Sequence, residues 1–151
     1  PQDPALRADG EGEFHPRGGY CLFDLEGVKC ALLICYDVEF APHLRALAEA
    51  GAELVLVPTA NPQGFEHVQE FLVPARAAEL GLIVAYASFC GEDAGLAFSG
   101  RSLIVGPDGR ALAAAGPGET LLVTDLDAAA LVPAARRSTQ LSDLRRISDD
   151  A

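Results

Sequence analysis

Apolar residues fall in short blocks, and their spacing changes along the chain. Residues 20–25 and 28–36 are two strand-length apolar runs split by Glu26-Gly27, a pattern that predicts a β-hairpin. From Lys29 to Cys35 polar and apolar positions do not alternate, which predicts a strand covered on both faces. After Asp37 the period lengthens. Leu44, Leu47 and Ala48 share a helical face, Arg45 and Glu49 turn away, and Gly51 closes the segment. Residues 54–57 predict a second buried strand, ended by Pro58. Between Glu66 and Leu80 a helical period runs through Val68, Leu72, Ala75 and Ala78/Glu79, and Pro74 inside it should kink or split the helix. Gly81 precedes a third strand over 82–87. Residues 89–100 read as a glycine-rich loop. A second hairpin is expected over 102–105 and 111–115 around Gly106-Pro-Asp-Gly109, then a strand over 120–124 and a terminal helix over 127–136. Residues 1–19 read as loop and the last fifteen as a polar tail. Strands alternating with helices predict an α/β protein with a largely buried sheet. The strands near 29–35, 54–57 and 82–87 should lie centrally, with the remaining strands supplied from upstream.

Composition narrows the partners. The chain has 151 residues, the size of one ordinary domain, with 11 Lys and Arg against 22 Asp and Glu. A net charge of −11 argues against nucleic acid and against anionic membranes, since both need a basic surface. No apolar run approaches the roughly 20 residues that cross a bilayer, and the first residues lack the pattern of a signal peptide. Cys21, Cys30, Cys35 and Cys90 show no zinc-like spacing, so the expectation is a reducing cytoplasm with neither disulfide nor structural metal. The chain contains no Met, which leads us to expect that residue 1 is not a natural start.

Cys35 is the most informative residue. It closes a buried strand just before a loop that feeds a helix. At such a corner a thiol can face a cleft, and the following N–H, that of Tyr36, can point at a developing oxyanion. The alternative is a small buried hydrophobe, the usual fate of a free Cys. His43 lies eight residues on and raises a Cys–His dyad as another possibility, against an ordinary surface histidine. His15 and His67 are weighed in the same way.

The wider text resembles the nitrilase superfamily, the carbon–nitrogen hydrolases. The likeness runs through Leu33-Ile-Cys-Tyr-Asp-Val-Glu-Phe40 and Ala50-Gly-Ala-Glu-Leu-Val-Leu-Val-Pro-Thr-Ala-Asn61. It continues through Ala75-Arg-Ala-Ala-Glu79, Val84-Ala-Tyr-Ala-Ser88 and Gly100-Arg-Ser-Leu-Ile-Val-Gly-Pro-Asp-Gly109, and ends in Leu141-Ser-Asp-Leu-Arg-Arg146. Phe40-Ala-Pro42 stands where the family has Phe-Pro-Glu, and Leu80 stands where it has Asn. The wording is nearest the aliphatic amidase-like branch.

The resemblance implies a four-layer α-β-β-α sandwich, incomplete here at the N-terminus, with residues 1–151 as the C-terminal part of a single domain. It implies cysteine-dependent hydrolysis of a non-peptide carbon–nitrogen bond, of the kind that turns a small linear carboxamide into acid and ammonia, without a cofactor. Cys35 matches the nucleophile and the Tyr36 N–H the oxyanion donor. Glu11 matches the family's second catalytic Glu, with Glu13 as the alternative. The general-base Glu and the oxyanion-binding Lys are expected upstream. The only lysine, Lys29, reads as a strand-edge charge. Asn61 is a candidate for lining the substrate pocket, and Glu79 is expected to be a buried carboxylate bracing the site. The complete protein is expected to form a homodimer or larger homo-oligomer. The competing reading is a catalytically inactive homologue, truncated or degenerate, that serves as a scaffold or assembly partner.

Overall fold

The computed structural model describes residues 19–126 and 138–149. Strands β1 (Cys21–Leu25) and β2 (Val28–Leu32) form the first hairpin, in which Leu25 faces Val28. Both turn residues, Glu26 and Gly27, have positive φ, the twist that suits a two-residue hairpin turn. Strands β3 (Leu54–Thr59) and β4 (Ile83–Ser88) run parallel to β2. Strands β5 (Cys90–Asp93) and β6 (Leu96–Ser99) make a separate two-stranded ribbon. Strand β7 (Leu103–Val105) pairs antiparallel with β4, and β8 (Ala111–Ala114) with β7. The main sheet has the order β1-β2-β3-β4-β7-β8.

The three strands expected at the centre are there. Among the described residues, their flanks are the chain's own hairpin strands. The expected glycine-rich loop over 89–100 is instead the β5–β6 hairpin, turned at Ala94-Gly95, both with positive φ. Its strands lack a repeating apolar pattern because the ribbon stands outside the main sheet. No strand forms over 120–124: Leu121 and Val123 are exposed and have no sheet partner. The helix expected over 127–136 lies outside the described residues.

Helices α1 (Ala41–Glu49) and α2 (Val73–Leu80) touch each other and cover one face of the sheet. Both end at a glycine of positive φ, Gly51 and Gly81, after which Ala52 and Leu82 donate back to Leu47 and Ala77. Lys29 Nζ donates to the Ala50 carbonyl at 3.0 Å, placing a cation where the α1 dipole is negative. Leu44 and Leu47 are fully buried on the inner face of α1, each worth about 2 kcal/mol of burial.

Pro74 splits the second helix as expected. One π-helical turn, Val68–Leu72, leads into α2, and Pro74 sits in the first turn of α2, where no backbone donor is needed. The wide turn also shifts the helical phase. Val68, Val73 and Ala77 therefore face the sheet, in place of the expected Ala75 and Ala78/Glu79. Helix α3 (Gln140–Asp149) forms within the expected polar tail and contacts α2.

The sheet's two faces differ. Beneath the helices lies a continuous core from Ala31, Val55, Val57, Val84, Leu103 and Val105. The opposite face carries Cys30, Leu54 and Ile83, flanked by Leu56, Ala85 and Ile104, with no described helix over it. The described residues thus supply one α layer and one β layer.

Candidate active site

The C-terminal ends of β2, β3 and β4 gather the residues of interest at one edge of the sheet. Leu33 continues the β2 ladder by donating to Leu56 at 3.0 Å, and Ile34 is still extended. The chain then turns sharply. Cys35 adopts φ +51, a left-handed conformation that costs an L-residue roughly 1–2 kcal/mol. The Asp37 carboxylate accepts from the Ile34 amide at 3.1 Å, and the Asp37 amide donates back to the Ile34 carbonyl at 3.1 Å. A 3-10 turn over Cys35–Glu39 follows directly. The Tyr36 amide belongs to its first turn, where N–H groups point out of the helix start. The Tyr36 ring is exposed and meets Phe40 edge-on at 4.8 Å.

Thr59, the last residue of β3, donates its hydroxyl to Cys35 Sγ at 3.3 Å. Tyr86 of β4 is buried and hydrogen-bonded to the Thr59 side chain. Burial pushes the Tyr86 phenol above its ordinary range, and the nearby Cys35 and Glu39 charges add to this; the Thr59 bond opposes it. Neither Thr59 nor Tyr86 was legible as a site residue. The available signal was that Thr59 is the polar residue ending a parallel strand beside the Cys35 strand, the sheet end where α/β proteins place ligands.

Among the other thiols, Cys30 is buried, its pKa raised by burial and then by the Asp24 and Glu53 charges. Cys21 is exposed in β1, and Cys90 is half-buried at the start of β5. The His43 ring meets the Tyr20 hydroxyl at 3.0 Å and packs edge-on against Phe40. Lys29 is held at the end of α1.

Asn61 is buried and its amide nitrogen bonds the Phe65 carbonyl at 2.8 Å and Gln69 Oε1 at 2.7 Å. Gln69 in turn donates to Ser99 Oγ at 2.9 Å, tying the π-turn to β6. Glu79 does not match the expected buried brace. Its side chain is 43% exposed, and it pairs with Arg76 at 2.7 Å. Once Val73 and Ala77 face the sheet, position 79 is rotated about the helix axis away from it. The Glu79 carbonyl accepts from Ser138, which ties α2 to the segment before α3. Glu11 and Glu13 lie outside the described residues. Among the described residues no three His, Cys, Asp or Glu side chains cluster as metal ligands, and no helix is long and apolar enough to cross a membrane.

Residues 8–136 match the carbon–nitrogen hydrolase family. The chain belongs to that family.

Two relatives align with nearly all of it. The protein called "Hydrolase in pqqF 5'region" from Pseudomonas protegens is 40% identical over 143 residues, 95% of this chain and 48% of its own length. An (R)-stereoselective amidase from Pseudomonas sp. is 38% identical over 143 residues, 94% of this chain and 51% of its own. Among solved structures, a mutant of the Nesterenkonia sp. AN1 amidase superposes with TM-score 0.70 and 45% identity, over 76% of this chain and 43% of that one. That structure shows the acetamide moiety of fluoroacetamide added covalently at the active-site cysteine. This carbon–nitrogen hydrolase chain therefore has the fold class of the nitrilase superfamily and spans about half the length of the relatives it matches.

Proposed function

We propose that the chain carries the nucleophile of an amidase that converts a small linear carboxamide to its carboxylic acid and ammonia. The observation that carries this reading is Cys35 itself. Its sulfur sits at a strand-to-helix corner of positive φ, with a hydroxyl donor on it. In the proposed reaction the Cys35 sulfur attacks the amide carbon, and the carbonyl oxygen becomes an oxyanion. The Tyr36 N–H and a Lys ammonium hold that charge. A Glu takes the thiol proton and delivers it to the nitrogen as the C–N bond breaks, releasing ammonia and leaving a thioester. Water then attacks the thioester carbon, the C–S bond breaks, and Cys35 regains its proton.

We assign the general-base Glu and the Lys to the part of the family domain that the chain does not span, with 1–151 as the C-terminal part. Glu11 is the proposed second Glu, and Glu13 its alternative. Asn61 borders the proposed pocket through its backbone position at the end of β3. The apolar face around Leu54 and Ile83 suits the second sheet of a four-layer domain, and two such domains pairing would give the homodimer. The four free thiols fit a reducing cytoplasm.

Ammonia release from acetamide and butyramide tests this. The protein extended to full family-domain length should release ammonia and lose that activity in Cys35→Ser. The 151-residue chain alone should release none, because the base and the Lys are assigned to the part of the family domain that it does not span. Turnover unchanged in Cys35→Ser ends the proposal. Absence of turnover in the extended protein favours the inactive scaffold.

A further inference from the structure

We infer that Thr59 is a positioning residue for the Cys35 nucleophile: its hydroxyl donates to the sulfur and holds it at the strand-to-helix corner. The inference rests on the reading of Cys35 as nucleophile, and its test is separable from that reading.

The geometry is specific. Thr59 Oγ1 lies 3.3 Å from Cys35 Sγ with the hydroxyl as donor. A hydroxyl donates only one proton, so its direction is set by what else it meets. Tyr86, held in the core between β3 and β7, is hydrogen-bonded to the same Thr59 side chain. Burial favours the neutral phenol. The donation printed by the geometry is the one to the Cys35 sulfur. Thr59 thus stands between the packed core at Tyr86 and the reacting atom.

The effect is one of orientation. The left-handed Cys35 backbone alone does not fix where the sulfur points. A hydroxyl bonded to the sulfur holds it in one direction, and losing that hold lowers the share of time it spends in a reactive orientation.

The test measures iodoacetamide labelling of this chain at pH 7, with peptide mapping to follow each thiol. Cys30 is buried and so reports folding, while exposed Cys21 is a reference thiol. Thr59→Val should slow labelling of Cys35 by about threefold or more, the scale of one lost hydrogen bond, with Cys21 unchanged and Cys30 protected. Thr59→Ser, which keeps a hydroxyl, should restore the rate. Labelling of Cys35 at the original rate in Thr59→Val, with Cys30 still protected, overturns the inference. If Thr59→Val exposes Cys30, Thr59→Ala decides: slower labelling of Cys35 than in Thr59→Ser supports the inference, and an equal rate overturns it. These outcomes do not depend on turnover. Failure of the amidase reading would show instead as no ammonia from the extended wild-type protein.

Discussion

The Asp37 carboxylate reaches back across Cys35 to accept the Ile34 amide at 3.1 Å. One side chain thereby closes the turn that forces Cys35 into its left-handed conformation. Removing the acceptor should relax the corner. Asp37→Ala should cost about 1 kcal/mol of stability, the scale of a lost helix cap, and should also slow iodoacetamide labelling of Cys35. Asp37→Asn keeps an acceptor oxygen and should recover most of both. Thermal melts and labelling rates check this; an alanine variant matching wild type in both would show that the backbone holds the turn unaided.

Only one of the four thiols should matter for turnover in the extended protein. Cys35→Ala should cost at least about 10³-fold, the scale for removing a covalent nucleophile. Cys21→Ala and Cys90→Ala should leave most activity. Cys30→Ala should leave activity while lowering stability, because Cys30 packs with Leu54 and Ile83. His43→Ala should also stay active, since its ring is engaged by Tyr20 and Phe40. A His43→Ala variant as inactive as Cys35→Ala would replace the proposed mechanism with a Cys–His one.

Local pattern carried much of this fold. Two-residue turns, glycine stops and unbroken apolar runs marked the first hairpin, α1, β3 and β4, because each is a short-range physical signal. Other features depended on context. The π-turn ahead of Pro74 shifted α2 by a fraction of a turn, and that shift moved Glu79 to the outside. The β5–β6 ribbon has no apolar rhythm, so nothing in 89–100 distinguished it from a loop. The family resemblance pointed to Cys35 as nucleophile, and its strand-to-helix corner was legible. Thr59 and Tyr86 were not, because what makes them site residues is register: β3 and β4 run parallel and end at the same edge as β2.

Gly100 gives a sharp test of packing. It has φ +59, and a Cβ there would lie 2.4 Å from the Pro117 carbonyl oxygen and 3.0 Å from Cys90 Cβ. Backbone cannot move aside as a flexible side chain does. Gly100→Ala should destabilise by about 2–4 kcal/mol, combining conformational strain with overpacking. Gly116 is the control: its added Cβ would meet nothing within 4 Å, and Gly116→Ala should change stability by less than about 1 kcal/mol. Urea melts of the two variants decide it, and equal losses would remove the steric account.

Tyr86 should make stability depend on alkaline pH. Its folded pKa is raised from a reference of 10.0, chiefly by burial. Below that reference both states keep the proton, and the folded state has its full advantage. As pH rises past about 10, the unfolded chain releases the phenolic proton while the folded chain retains it. The unfolded state then binds fewer protons, so stability falls until the folded phenol ionises as well. In Tyr86→Phe that loss is absent. At pH 8 the phenylalanine variant should be less stable than wild type by about 1 kcal/mol, from the lost Thr59 bond. Toward pH 10.5 the gap should shrink, because only wild type carries the ionising group at position 86. Cys30, whose pKa is also raised, contributes equally to both proteins and cancels in the comparison. Urea unfolding at the two pH values measures it. A gap that stays constant would mean that Tyr86 ionises alike in the folded and unfolded chains, and that its hydroxyl is open to water.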